Sequence, residues 1–134
     1  MTLTGQRTEE WITDFSRRDN CLLLVAESDG QLLGNIDLNG SLRAAMGHTA
    51  MVGMGMFKGW RGKGLGTALI NAALSWATEN EVLELLWLQV YTQNLAAISL
   101  YQRAGFEECG YMKNYFRHGG IYYDNITMSR CVRG

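Results

Sequence analysis

The amino-acid sequence predicts a mixed α/β fold, in which a mostly antiparallel sheet carries helices on both faces. Short apolar segments bounded by glycine, asparagine or aspartate are typical of strands. A helical stripe at 64–79 separates two of them, which favours a parallel connection, and the turn residues Asp29-Gly30 predict a hairpin. The 134 residues suffice for one domain and are too few for two, so we expect a single domain over 1–134.

Composition and charge exclude several classes of partner. The net charge of −1 leaves no electrostatic footprint for nucleic acid. No apolar run approaches the ~20 residues that span a membrane, and the N-terminus does not resemble a signal peptide. The three cysteines, an odd number without CxxC spacing, indicate reduced thiols and no metal site. We therefore expect a cytoplasmic protein without nucleic-acid or membrane partners.

The first half of the chain is predicted to form one helix and three strands. Trp11, Ile12 and Phe15 share one side of the helix, and Gly53 and Gly55 weaken the third strand and are compatible with a bulge. The elements are, in order, a helix at 8–18 and strands at 21–28, 31–39 and 48–57, with a loop at 40–47.

The second half is predicted to begin with the helix at 64–79. Its apolar residues recur at helical spacing in one stripe: Leu65, Ala68, Leu69, Ala72, Ala73, Trp76 and Ala77. Asn94 can cap a further helix, with Ala97, Leu100, Tyr101 and Ala104 facing inward, and Gly105 can end it. The remaining elements are strands at 83–91, 106–116 and 121–132 and a helix at 95–104.

The segment KGWRGKGLGT, 58–67, concentrates glycines and cations between a strand and a helix. The first N–H groups of a helix lack internal partners, and the helix dipole adds positive charge there. Glycines allow a phosphate to approach the backbone, and Arg61 and Lys63 add full charges. The segment predicts a phosphate-bearing ligand at Arg61–Thr67. The segment does not match a P-loop, because Leu65 stands where that motif requires lysine. It does not match the dinucleotide-binding motif either, because Thr67 stands where the third glycine is required.

The R-x-x-G-x-G pattern at 61–66 resembles the pyrophosphate loop of the GNAT superfamily, the Gcn5-related N-acetyltransferases. LQVYTQNLAAISLYQRAGF, 88–106, and GGIYYDNITMSR, 119–130, also resemble segments of that family. The similarity covers about 8–132, and the family's usual first strand and helix are not recognisable before it. The resemblance implies an acetyl-CoA-dependent N-acetyltransferase whose strand 48–57 splays from strand 83–91 as a central parallel pair.

The resemblance also implies how acetyl-CoA is held. Its pantetheine arm pairs with backbone groups of the splayed strand, its pyrophosphate lies on the glycine-rich loop, and no metal is needed. Asn94 is either a further contact to CoA or a helix cap alone. The implied ligand-binding residues are Met54, Met56, Arg61, Gly62, Lys63, Gly64, Leu65, Gly66, Thr67 and Asn94.

The catalytic groups are less determined. By resemblance Tyr101 protonates the leaving thiolate, since tyrosine is protonated at neutral pH; otherwise it is a core aromatic. Relatives often carry a glutamate base where this chain has Met51. Asp37, His48 and Asp124 are the remaining candidates for the base, directly or through water.

Two other functions and one assembly stay open. The chain is alternatively a degenerate GNAT domain that binds CoA without turnover, or a nucleotide-binding module. The acceptor amine is a small molecule, an amino acid or a peptide. Without an outer neighbour, strand 21–28 would be an apolar edge, which favours a homodimer unless the segment 1–18 covers it.

Overall fold

The structure, a computed structural model, describes residues 2–5, 19–57, 59 and 64–133. The predicted helix at 8–18 and the loop residues Arg61, Gly62 and Lys63 lie outside the described residues. The chain forms two compact units, one made of residues 1–86 with 131–134 and the other of residues 87–130. The expectation of a single domain over 1–134 stays a prediction.

The described residues form seven strands, two α-helices and one short 3₁₀ helix at Ala44–Met46. The strands are β1 (Thr2–Gly5), β2 (Leu22–Ser28), β3 (Gln31–Gly40), β4 (Thr49–Met56), β5 (Leu85–Tyr91), β6 (Glu107–His118) and β7 (Ile121–Cys131). The helices are α1 (Leu65–Glu79) and α2 (Leu95–Arg103).

In the first unit the strands follow the order β1-β2-β3-β4-β5, the last contributing only its beginning. The first four are paired antiparallel. The carbonyl of His48 accepts hydrogen bonds from the N–H groups of Glu84 and Leu85, so β4 and β5 start side by side and run parallel. The fold is therefore mixed α/β, with a mostly antiparallel sheet and one parallel pair, as the sequence predicts.

Strand β1 corrects two expectations. Residues 2–5 pair with Leu24–Glu27 of β2, so the chain does carry a strand ahead of the predicted helix at 8–18. Four residues are too few to show strand periodicity, which explains why the pattern missed it. The prediction that 21–28 is an open edge was wrong, because the N-terminal segment covers it. The homodimer was predicted from an exposed edge at strand 21–28, so that argument no longer applies.

Local sequence explains the turns and the helix of this unit. Asp29 and Gly30 both have positive φ, 52° and 77°, as the tight turn between β2 and β3 requires. Helix α1 contacts β2, β3 and β4. Its buried stripe is rotated from the predicted one, because Ala68, Ala72 and Trp76 are only half-buried and the residues two positions before each of them are buried instead. The buried residues of α1 are Leu65, Gly66, Leu69, Ile70, Ala73, Leu74 and Ala77.

In the second unit the order is β5-β7-β6, with β6 and β7 antiparallel. Asn94 caps α2, since its side-chain oxygen accepts from the N–H of Ala97 at 3.2 Å. Gly105 follows α2 with φ of 91°, a conformation suited to glycine at a helix end. The β6–β7 register shifts twice, before Gly110 and between Met112 and Phe116, so β6 carries two irregularities.

No helix in the described part of the chain is both long and apolar enough to cross a membrane. The three cysteines, all in described segments, are free thiols, and only Cys21 is buried.

Candidate active site

Strand β4 presents the backbone groups of Met54 and Met56 away from β3. The N–H of Phe57 bonds the carbonyl of Leu33, and the N–H of Ser41 bonds that of Thr49, which fixes the odd residues of β4 as those that bond β3. Hydrogen-bonded and non-hydrogen-bonded pairs alternate along an antiparallel ladder. The polar groups of Met54 and Met56 therefore point to the other side of β4, the orientation that pairing with a pantetheine arm requires.

Helix α1 is preceded by a glycine in a left-handed conformation. Gly64 precedes the helix with φ of 83° and ψ of 0°, a region that other residues rarely adopt. The first turn, Leu65 to Thr67, carries no acidic side chain, and Thr67 is exposed. A helix N-terminus without acidic side chains is a favourable position for an anion. The predicted cations Arg61 and Lys63 lie outside the described residues.

A cleft of about 570 Å³ lies beside the end of β4. It is lined by Gly30, Gln31, Leu32, Phe57 and Gly59. Phe57 and Leu32 are 60% and 46% exposed, which is high for large apolar side chains. The cleft therefore offers an apolar surface next to the segment that the sequence assigns to phosphate binding.

Asp37 lies in the middle of β3 with its carboxylate over β4. It is opposite Gly53 on β4 and opposite Leu23 on β2. A Cβ built on Gly53 would meet the two carboxylate oxygens at 2.9 and 3.0 Å. The carboxylate therefore occupies space that a side chain at position 53 would otherwise fill.

Burial raises the pKa of Asp37 above its ordinary value of 3.8. Leu23, opposite Asp37 on the neighbouring strand, is 2% exposed, and burial of a carboxylate disfavours its ionised form. Among the described residues, no hydrogen-bond donor is found for this carboxylate. A carboxylate that is desolvated and unpaired binds a proton more readily, which suits a general base.

Asp124 has the opposite environment. Its carboxylate accepts hydrogen bonds from the hydroxyl of Tyr111 and, at 2.8 Å, from the N–H of Asn114. The bond from Tyr111, helped by that from Asn114, lowers the pKa of Asp124 below 3.8. Asn114 has positive φ, 56°, within the irregular part of β6. Asp124 therefore fixes the hairpin, and its carboxylate is a weak base.

His48 lies just before the start of β4, away from Gly53 and Gly55. It is exposed and precedes the strand, and its backbone carbonyl is the acceptor for Glu84 and Leu85. Five residues separate it from Gly53, roughly 17 Å of extended chain. Asp37 is therefore the base candidate that lies beside the glycines of β4. Met51 is 38% exposed and shares the face of Gly53.

Tyr101 and Asn94 belong to the second unit, on α2. Tyr101 is 8% exposed, and its ring meets that of Phe106 edge-on with 5.8 Å between centroids. Asn94 is half-buried, and its oxygen is committed to the helix cap, which leaves the Nδ2 hydrogens as its donors. The structure thus groups β4, the start of α1 and Asp37 in one unit, and Tyr101 and Asn94 in the other.

The role of the glycines in β4 was missed by the sequence analysis. Gly53 and Gly55 were described as compatible with a bulge where strand 48–57 splays from strand 83–91, which stays a prediction. On the side of β3, β3 and β4 pair in regular register through both glycines. There, Asp37 lies over Gly53, and the side-chain oxygen of Asn35 lies 3.1 Å from a Cβ built on Gly55. The available signal was the alternation of polar residues in β3, which fall opposite glycines once the register is known.

Comparisons with known proteins agree with this geometry. A sequence profile of the acetyltransferase (GNAT) family matches residues 2–106. The chain is similar to an L-amino acid N-acetyltransferase of Escherichia coli (strain K12), with 28% identity over 120 residues, 90% of this chain and 74% of that protein.

Solved structures show the same likeness. An acetyltransferase of the GNAT family from Streptococcus pneumoniae superposes with a TM-score of 0.86 and 26% identity, covering 90% of this chain and 72% of the other. A protein from Salmonella typhimurium, solved with acetyl-CoA, gives a TM-score of 0.82 at 20% identity, covering 95% of this chain and 75% of the other. At 20% identity, the likeness to the Salmonella typhimurium protein shows the fold alone.

Proposed function

Because the chain belongs to the GNAT family of acetyltransferases, we propose that it transfers the acetyl group of acetyl-CoA to a primary amine of a small molecule, an amino acid or a peptide. The observation that carries this proposal is the combination of β4 and α1. Met54 and Met56 turn their backbone groups away from β3, and the following helix begins after Gly64 with a first turn that carries no acidic side chain.

The described residues fit acetyl-CoA as the acetyl donor. The N–H and C=O groups of Met54 and Met56 can pair with the amides of its pantetheine arm, as a strand would. The N–H groups of Leu65, Gly66 and Thr67 have no partner within the helix and can bind its pyrophosphate, with Arg61, Gly62, Lys63 and Gly64 completing the loop. Acetyl-CoA supplies an activated acetyl group, and Asn94 is a further contact through its Nδ2 donors.

The residues of the chain then manage the protons. Asp37 accepts a proton from the acceptor ammonium and so frees its lone pair. The amine nitrogen forms a bond to the acetyl carbon while the carbon–sulfur bond breaks, and the nitrogen then gives up its second proton to water, from which Tyr101 is reprotonated. Tyr101 donates its hydroxyl proton to the departing thiolate. The products are the N-acetylated acceptor and free CoA.

The experiment is binding and turnover by the wild-type protein and two variants at Thr67. Acetyl-CoA binding is measured by calorimetry, and acetylation of a panel of primary amines by mass spectrometry. Thr67→Glu places a carboxylate at the start of α1, where it suits the helix dipole but repels a phosphate. We expect acetyl-CoA affinity to fall about tenfold while the melting temperature is kept.

Thr67→Gln is the matched control, because it adds a side chain of the same size without charge, and it should bind close to wild type. Equal affinities for the Glu and Gln variants would contradict the phosphate site. Wild-type protein that binds acetyl-CoA but acetylates no amine would instead support the alternative of a CoA-binding domain without turnover.

A further inference from the structure

We propose that Gly53 is a positioning residue for acetyl transfer. Because it carries no side chain, Asp37 on the neighbouring strand can hold its carboxylate over β4, where it meets the acceptor amine. The base is therefore a residue of β3, whose carboxylate lies over the one position of β4 opposite it that has no side chain, and it is not a residue of β4. This inference rests on the proposed function, which makes Asp37 the base.

The contact distances carry the argument. A Cβ on Gly53 would lie 2.9 and 3.0 Å from the carboxylate oxygens of Asp37, and the shorter distance is one that Cβ atoms essentially never show. Ordinary contact starts at 3.4 Å, so an alanine at this position would displace the carboxylate by about 0.5 Å. An aspartate has only two side-chain torsions, and it can escape only by rotating away from β4.

The backbone of Gly53 does not itself require glycine. Its φ lies outside the left-handed region, and β3 and β4 pair there without a register shift. Glycine in a regular strand is entropically unfavourable relative to alanine. The chain thus accepts a less stable strand at a position where an added methyl group would meet Asp37.

The surroundings make Asp37 sensitive to this space. The described residues that face its carboxylate across and along the strands are Leu23 on β2, Gly53 on β4, and Asn35 and Asn39 on β3, all of them uncharged. Asp37 is only half-buried, so water reaches part of its side chain, and Gly53 adds no side-chain atoms beside it. A methyl group there both shifts the carboxylate and removes water from it, which raises its pKa further.

The test is Gly53→Ala, with Gly55→Ala as the matched control. Gly55 lies on the same face of the same strand, and a Cβ there would meet uncharged Asn35 at 3.1 Å. For Gly53→Ala we expect kcat to fall roughly 10- to 100-fold, the acid limb of kcat/KM to move to higher pH, and the melting temperature to be kept or raised. Gly55→Ala should leave the acid limb in place.

A double-mutant cycle separates positioning from packing. In an Asp37→Asn background, Gly53→Ala should cause no further loss of kcat, because the carboxylate it displaces is gone. A wild-type pH profile in Gly53→Ala, or an equal loss in both backgrounds, would overturn the inference. Asp37→Glu is a second probe that leaves Gly53 intact. It should lower kcat by moving the carboxylate, and a wild-type kcat would also count against the inference.

The failure of the inference can be told from that of the proposed function. The carboxyl carbon of Asp37, followed by NMR during a pH titration, reports its ionisation without any turnover. Gly53→Ala should raise its titration midpoint and Gly55→Ala should not. If the midpoint rises but wild-type protein acetylates no amine, the geometry stands and the acetyltransferase proposal fails. If the midpoint does not move, the inference fails whatever the activity.

Discussion

The face of β3 around Asp37 and the β6–β7 hairpin around Asp124 place the same residue type in opposite environments. Asp37 is half-buried beside Leu23, and burial raises its pKa. Asp124 accepts hydrogen bonds from Tyr111 and Asn114, and the first of these is the main cause of its lowered pKa. One carboxylate is left able to take a proton, and the other is held in the ionised form.

The difference teaches that the role of a carboxylate depends on what surrounds it in the folded chain. At the sequence level, both aspartates lie in predicted strands, and both were equal candidates for the base. Hydrogen bonds to the ionised form favour it, whereas desolvation disfavours it. Only the strand register reveals which aspartate receives donors and which lies over a glycine.

Asp37→Asn should break the comparison with the largest effect. Loss of a general base lowers kcat roughly 10²- to 10⁴-fold, while affinity for acetyl-CoA is retained. Steady-state kinetics and calorimetry check this. Asp124→Asn is the comparator and should keep most of the activity. A large loss in Asp124→Asn with normal turnover in Asp37→Asn would reverse the two roles.

Asp37→Asn should also be more stable than wild type near neutral pH. The pKa of Asp37 is raised in the folded state above its ordinary value of 3.8, so between those values the folded protein binds more protons than the unfolded chain. Stability therefore falls as pH rises through this window, and the loss persists above it. Asparagine has no ionisable group, so Asp37→Asn removes this loss of stability. Denaturant unfolding at pH 5 to 8 measures the gain, and a lower stability in Asp37→Asn would contradict it.

Asp124→Asn is expected to have a smaller effect, limited to the hairpin. The hydrogen bond to Asp124 is the main cause of the raised pKa of Tyr111, so removal of the negative charge should return that pKa toward 10.0. The melting temperature should fall slightly, because surface interactions contribute little. A spectroscopic titration of Tyr111, with Asp37→Asn as the control, checks the direction.

Much of the fold could be predicted because its signals are local. Helix α1 was expected at 64–79 and spans Leu65–Glu79, and the cap of Asn94 and the end at Gly105 are as predicted. Residues 2–5 were missed, since their strand depends on pairing with β2 and not on their own pattern.

The site was less predictable than the fold. Glycine spacing predicts a phosphate-binding loop, which stays a prediction, and the orientation of Met54 and Met56 is the one that the resemblance implied. The base could not be chosen from sequence, because the residues opposite Asp37, Leu23 on β2 and Gly53 on β4, are set by strand pairing. Such contacts are properties of register, and a single sequence does not specify register directly.

The central claim is that Asp37 is the proton-accepting carboxylate and Asp124 the structural one. Their pKa values, measured in one NMR titration of the carboxyl carbons with Asp37→Asn and Asp124→Asn to assign the signals, test it most directly. The account predicts that Asp37 titrates above 3.8 and Asp124 below it. A titration of Asp37 at or below 3.8, with Asp124 the higher of the two, would contradict it.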